Sequence, residues 1–220
     1  MKLRDDLVAA HHSLLARWSQ PGSFWSGRQR LGLVEEVRRA RDNEALPPWV
    51  EPSSIDALRR SGELLPDAAI DAIWRLTNHP GTLTVDWYHS VLARGLGAGA
   101  YVELVAVVAQ ANCLDRFCDG LGMGRYALPD ALAGDPVPAV AADASVRSHW
   151  VPTAELPGPN VLKGLSMLPF ENESRAIVMG AHYVSDVAVI GDLRSGRGGL
   201  SRPQMELIAA RTSTLNECFY

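Results

Sequence analysis

Apolar residues recur every three or four positions along most of this sequence, whereas almost no stretch alternates apolar and polar residues as a strand does. The first series runs from Leu7 to Trp18 and ends before the helix-breaking pair Pro21-Gly22, and a second series opens at Ser26. Further helices are predicted over residues 54–60, 66–78, 84–95, 100–119, 171–192 and from 201 onward. This pattern predicts an all-α protein.

Three features indicate how the predicted helices are built and packed. The helix at 100–119 is almost wholly apolar up to Gln110, so we expect it at the centre of the packing. The last helix opens with a capping box, because Ser201 is followed three residues later by Gln204. The large aromatic side chains are interpreted as packing anchors. These are Trp18, Trp25, Trp49, Trp74 and Trp87.

An internal similarity predicts two related helical halves. Residues 101–106, YVELVA, resemble residues 204–209, QMELIA, and this aligns Glu103 with Glu206. Twelve residues after these glutamates come Asp115 and Cys218 respectively. A proline-rich stretch lies between the two segments and is typical of a linker. We therefore predict an N-terminal half over residues 1–128, a linker over 129–159 and a C-terminal half over 160–220.

Composition and charge exclude several classes of protein. The 220 residues carry a formal net charge of −4, and their Lys and Arg residues are scattered, so we expect no nucleic-acid partner. The densest basic run, at residues 38–41, is interpreted as a solvated helix face. The pair Asp5-Asp6 interrupts any N-terminal signal sequence, and no run of about eighteen apolar residues occurs. We therefore expect a cytoplasmic protein without a membrane span.

The cysteines and histidines limit the possible chemistry further. The three cysteines make structural disulfides improbable in a chain of this size, and we interpret Cys113 and Cys118 as buried small apolar residues on different helix faces. The six histidines show no ligand spacing, so we expect no metal and no cofactor. The glycine-rich run at residues 120–124 follows a predicted helix rather than a strand, and is interpreted as a helix C-terminal turn.

Glu206 and Cys218 are the candidate site residues. On one straight helix their twelve-residue separation would span about 18 Å. The hydroxyl and amide side chains of residues 212–216 favour caps, so we predict that the chain turns there and brings Glu206 close to Cys218. Cys218 would then lie in the first turn of a new helix, where the helix dipole favours a thiolate.

The segment from Glu206 through Cys218 resembles the core helix hairpin of the alkylhydroperoxidase D and carboxymuconolactone decarboxylase superfamily. The wider chain is similar to longer alkylhydroperoxidase-related proteins, some of which are selenoproteins, through Trp18, Pro21-Gly22, Trp25, Gly27 and the helix at 101–117. The resemblance implies an all-α fold of two superfamily-like pseudo-repeats and a homo-oligomer. It makes Glu206 the proton-relay acid and Cys218 the resolving cysteine. The attacking residue would stand at position 221, with a relay histidine four residues later.

The resemblance implies that the full-length product reduces a hydroperoxide with an external thiol reductant. Because position 221 lies beyond this sequence, we expect the 220-residue chain itself to lack turnover. A selenocysteine codon after Tyr220 is one hypothesis, and its rivals are an ordinary stop codon, a frameshift and a deliberately chosen end of the sequence. Two other functions stay open. One is a non-catalytic helical binding or assembly module, and the other is a carboxymuconolactone decarboxylase-like lyase.

Overall fold

A computed structural model describes residues 2–43, 64–183, 196–197 and 199–215. The α-helices in this part of the chain are α1 Asp5–Ser19, α2 Gly27–Asp42, α3 Asp67–Asn78, α4 Val85–Ala93, α5 Ala98–Gly120, α6 Pro169–His182 and α7 Arg202–Leu215. The described residues also include two 3-10 turns, Pro80–Thr82 and Asn160–Leu162. Two short antiparallel strands, β1 Gly196–Arg197 and β2 Leu200–Ser201, pair with each other. The predicted all-α fold is confirmed. The helix predicted at 54–60 and Trp49 lie outside the described residues.

The helix starts follow the local signals in the sequence. Ser26 caps α2 in a complete capping box, since the Gln29 N–H donates to Ser26 Oγ at 3.3 Å and the Ser26 N–H donates to Gln29 Oε1 at 3.0 Å. The Ser201 N–H donates to Gln204 Oε1 at 2.8 Å, so the start predicted for the last helix is also confirmed.

Helix α5 forms the centre of the core, as predicted. Its buried side chains, such as Leu104 and Val107, pack in one cluster with residues of α1, α2, α3 and α4. Trp18 and Trp74 are fully buried, Trp25 is nearly so, and Trp87 packs against the same cluster from its edge. No single described helix is long and apolar enough to cross a membrane, and α4 and α5 reach that length and hydropathy only as a pair bent by 117°.

The proline-rich stretch at 129–159 packs against the first helices instead of acting as a spacer. The Leu132 N–H donates to the Ser19 carbonyl at 2.8 Å, and the Val137 N–H donates to the Gly22 carbonyl at 3.1 Å. These bonds satisfy backbone donors of the stretch outside any helix or sheet. The chain divides into two compact units at 178/179, within α6.

The end of α5 confirms the turn predicted for residues 120–124. The helix ends at Gly120, Gly122 has a φ of 65°, and the Met123 N–H donates back to the Cys118 carbonyl at 2.8 Å. This left-handed residue after the helix is typical of a glycine C-terminal cap.

Two glycines at this terminus test the cap. We expect Gly122→Ala to lower the free energy of unfolding by about 1 kcal/mol, because a Cβ strains the left-handed backbone even where nothing lies within 4 Å of it. Gly120→Ala is the control, since Gly120 is helical with equally open surroundings, and should be neutral or stabilising. Chemical denaturation measures both, and equal values for the two variants would contradict the cap.

Candidate functional site

Glu206 lies in the second turn of α7 on an exposed face. Its Oε1 forms an ion pair with Arg202 Nη2 at 2.7 Å, and its side chain is 54% exposed. Such a pair at i, i+4 stabilises a helix by only a few tenths of a kcal/mol, so it leaves the carboxylate accessible. Cys218, the second predicted site residue, lies outside the described residues.

The turn predicted at 212–216 does not form within its described part, residues 212–215. Helix α7 continues to Leu215, because the Thr212 hydroxyl donates to the Ile208 carbonyl at 2.8 Å and the Thr214 hydroxyl to the Ala210 carbonyl at 2.9 Å. Bonding to the carbonyl four residues earlier satisfies these hydroxyls inside the helix instead of at a cap. Any reversal therefore comes after Leu215, which lies roughly 14 Å along the axis from Glu206.

Glu103, which the internal similarity aligns with Glu206, is fully buried, whereas Glu206 is exposed. Its Oε1 contacts Arg30 Nη1, and the same nitrogen donates to Glu171 Oε1 at 2.7 Å. The three side chains come from α5, α2 and α6 and are at most 1% exposed. We call Arg30, Glu103 and Glu171 the acid–arginine centre.

Neighbouring groups complete the hydrogen bonding of both carboxylates. The Phe24 N–H donates to Glu103 Oε2 at 2.7 Å, and Gln110 Nε2 reaches Glu171 Oε2 at 3.5 Å. Gln110 is itself held by the indole N–H of Trp18 at 3.0 Å. Gly22 lies directly on the centre, since a Cβ there would overlap Glu103 Oε1. A larger residue at position 22 would therefore displace the carboxylate.

Burial dominates the electrostatics of the acid–arginine centre. Removal from water raises the pKa of Glu103, and the nearby charge of Glu171 raises it further, whereas the guanidinium of Arg30 acts in the opposite direction. One cation thus serves two buried acids. Arg30 Nε and Nη2 have no hydrogen-bond partner within the described ranges, so the guanidinium is itself not fully satisfied.

The basic run at 38–41 is not the solvated face that was predicted. Arg38 binds the buried Asp115 through two bonds, Nε to Oδ2 at 2.8 Å and Nη2 to Oδ1 at 3.0 Å. Arg39 pairs with Glu36 and Arg41 with Asp119. Glu36 lies on α2 itself, whereas Asp115 and Asp119 belong to α5, so the periodicity of α2 alone did not reveal these two partners.

The described cysteines are both free thiols. Cys118 is fully buried as predicted, and its pKa is raised chiefly by burial and further by the charges of Asp115 and Asp119. The prediction for Cys113 is wrong, because this residue is exposed. Burial and a raised pKa keep Cys118 protonated and make it a poor nucleophile.

Arg30 and Glu171 were not identified from the sequence. The available signal was Glu103 itself, because an acid inside an almost wholly apolar helix requires a buried partner. Within the described residues no group of three or more His, Cys, Asp or Glu side chains could hold a metal ion.

No known protein family, curated protein or solved structure matches this chain. The likeness to the alkylhydroperoxidase D superfamily therefore stays a prediction that rests on the residues quoted above.

Removing the cation tests the acid–arginine centre. We expect Arg30→Met to lower the free energy of unfolding by about 3–5 kcal/mol at neutral pH, because the buried Glu103 and Glu171 side chains lose the guanidinium that both of them contact. The deficit should shrink in acid, because Glu103, whose pKa burial raises, then holds a proton and no longer needs a cation. Arg28→Met, at an exposed position of the same helix, should stay within about 0.5 kcal/mol of the parent. Urea denaturation across pH measures this, and similar values for the two variants would contradict the assignment.

Proposed function

We propose that this chain is the helical part of a protein that reduces hydroperoxides with electrons from a thiol. The observation that carries the proposal is the segment from Glu206 to Cys218, whose residue types and spacing resemble the alkylhydroperoxidase D hairpin. Its support in the fold is the accessibility of Glu206, which has only a weak ion pair to break before it can exchange a proton with a neighbouring group.

The proposed reaction balances with one redox pair and one external reductant. A thiolate or selenolate at position 221 attacks one peroxide oxygen, the O–O bond breaks, and the departing alkoxide takes a proton to give an alcohol. Cys218 then attacks the resulting sulfenic or selenenic acid, which loses water as the S–S or Se–S bond forms. An external dithiol reduces that bond and is itself oxidised to a disulfide. Glu206 supplies and recovers the protons.

The length of α7 constrains the proton path. Because the helix runs on for nine residues after Glu206, its last residue lies roughly 14 Å along the axis from Glu206. The path therefore needs an intervening group that runs back along α7. The resemblance assigns this role to the histidine beyond position 221.

The residues aligned with Glu206 and Cys218, Glu103 and Asp115, do not form a second site of the proposed kind. Glu103 is closed off by Gly22 and bound to Arg30, and at the position aligned with Cys218 stands Asp115, which Arg38 holds. Neither group is free to meet a peroxide. We therefore assign catalysis to residues of the second half alone.

A non-catalytic assembly module is the second candidate function. Large apolar side chains are exposed on α7, with Leu207 70%, Ile208 54% and Leu215 66% accessible. An exposed apolar helix face is typical of a surface that packs against another element. In this function Glu206 has only a structural role.

Peroxide-dependent oxidation of a dithiol distinguishes the two functions. We expect a form extended past Tyr220 with cysteine at position 221 to turn over and the 220-residue chain to have a negligible rate. In the extended form, Cys218→Ser should abolish turnover and Glu206→Gln should reduce kcat by roughly 100-fold or more, because it removes the relay acid. Glu35→Gln, at an exposed acid of α2, is the control and should leave the rate unchanged.

One result would contradict peroxide reduction, and another would contradict the role of Glu206. Equal, negligible rates in the 220-residue and extended forms would favour the assembly module. Full activity of Glu206→Gln would remove Glu206 from the proton path.

A further inference from the structure

The acid–arginine centre attaches α6 to the helical body through an unusual balance of charge. Glu171 lies in the first turn of α6, and its Oε1 bonds the Arg30 nitrogen that also contacts Glu103. The centre therefore places two carboxyl groups on one nitrogen of one guanidinium. With both carboxyls ionised, it would carry a buried net charge of −1.

No second cation compensates this charge among the described residues around the centre. From α1, Trp18 contributes its indole N–H, through Gln110 of α5. The guanidinium of Arg17 bonds the Phe170 carbonyl rather than a carboxyl group of the centre. Arg17 stacks on the Phe170 ring at 3.8 Å and bonds Ser174 and Glu173. The charges that act on Glu103 are those of Arg30 and Glu171.

An uncompensated charge in a fully buried site is more costly than a neutral acid. Removing a carboxylate from water costs several kcal/mol unless a cation and hydrogen bonds offset it, and two adjacent carboxylates repel each other. A neutral carboxyl can also donate a hydrogen bond, whereas an ionised one only accepts. One retained proton gives one ionised acid for Arg30 and one neutral acid beside it.

We propose that Glu103 and Glu171 share a single proton, and that losing this proton loosens the first turns of α6, so that the acid–arginine centre acts as a pH-sensitive clamp. The clamp is independent of peroxide reduction. The chain passes from its first compact unit to its second within α6, after Val178, so the clamp acts on the helix that leads into the segment carrying Glu206.

The raised pKa of Glu103 decides whether the stability of the centre rises or falls with pH. The folded-state pKa of Glu103 is raised, so the stabilisation from its proton is complete below the ordinary pKa of a glutamate. It is lost as the pH rises through the raised value. The contacts of Arg17 with Phe170 and Ser174 carry no shared proton and persist, so we expect local loosening of α6 rather than unfolding of the chain.

Infrared spectroscopy of the full chain detects the proton directly. We expect the C=O stretch of a protonated carboxylic acid at about pH 6.5, where an ordinary glutamate with a pKa near 4.3 is ionised. Both Glu103→Gln and Glu171→Gln should lose this band, because Arg30 then pairs with a single ionised acid. Glu35→Gln alters an exposed acid of α2 and should retain the band.

Hydrogen exchange of the amides of residues 173–178 tests the clamp. After correction for the intrinsic rate, protection in the parent and in Glu35→Gln should fall at least tenfold as the pH rises through the loss of the infrared band. Protection in Glu103→Gln should stay constant, because the amide mimics the protonated acid. If that variant does not fold, Glu171→Gln and the parent spectrum decide.

Three results would overturn the proposal. The first is a parent protein without the carboxylic-acid band. The second is a band that survives in both single variants, which would place the proton elsewhere. The third is α6 protection that does not change while the band disappears, which would leave a buried proton without a clamp.

Discussion

The contact of Arg30 with two buried carboxyl groups is the interaction on which the rest of the first unit depends. It joins α2, α5 and α6 at a point where no side chain is more than 1% exposed. Desolvating these groups offsets most of the Coulomb attraction, so the centre adds little net stability. It does fix position, because only one relative arrangement of the three helices satisfies both acids. Displacing α2 would separate both acids from the guanidinium, and displacing α5 or α6 would separate one of them.

The loop between α1 and α2 lies against this centre, and the proline-rich stretch bonds that loop. Gly22 lies against the Glu103 carboxylate because no side chain fits there, and the next residues direct the Phe24 N–H to the same acid. The carbonyl of Gly22 is in turn bonded by Val137. A stretch with little secondary structure of its own is thus ordered by backbone bonds to the loop that closes the core.

Local sequence signals predicted the helices well, but they did not predict which residues pair with the buried acids. The observed α5, Ala98–Gly120, matches the predicted 100–119 because apolar periodicity and the glycine cap are both encoded locally. The sequence aligns Glu103 with Glu206 but does not reveal the partners of Glu103. Arg30 precedes Glu103 by 73 residues and Glu171 by 141 residues. Thr212 and Thr214 were misinterpreted, because a hydroxyl can satisfy a helix carbonyl as readily as a cap.

Two aligned glutamates in one chain differ in chemistry because of what surrounds them. Glu103 has lost its contact with water, shares a guanidinium and holds a raised pKa, so it is suited to storing a proton and not to passing one to a substrate. Glu206 lies on an exposed face of α7, where its side chain is 54% accessible and pairs with Arg202 at i, i+4. A similar sequence pattern therefore lies in a buried site around Glu103 and on an exposed helix face around Glu206. Burial distinguishes the two glutamates, and it depends on residues distant in sequence.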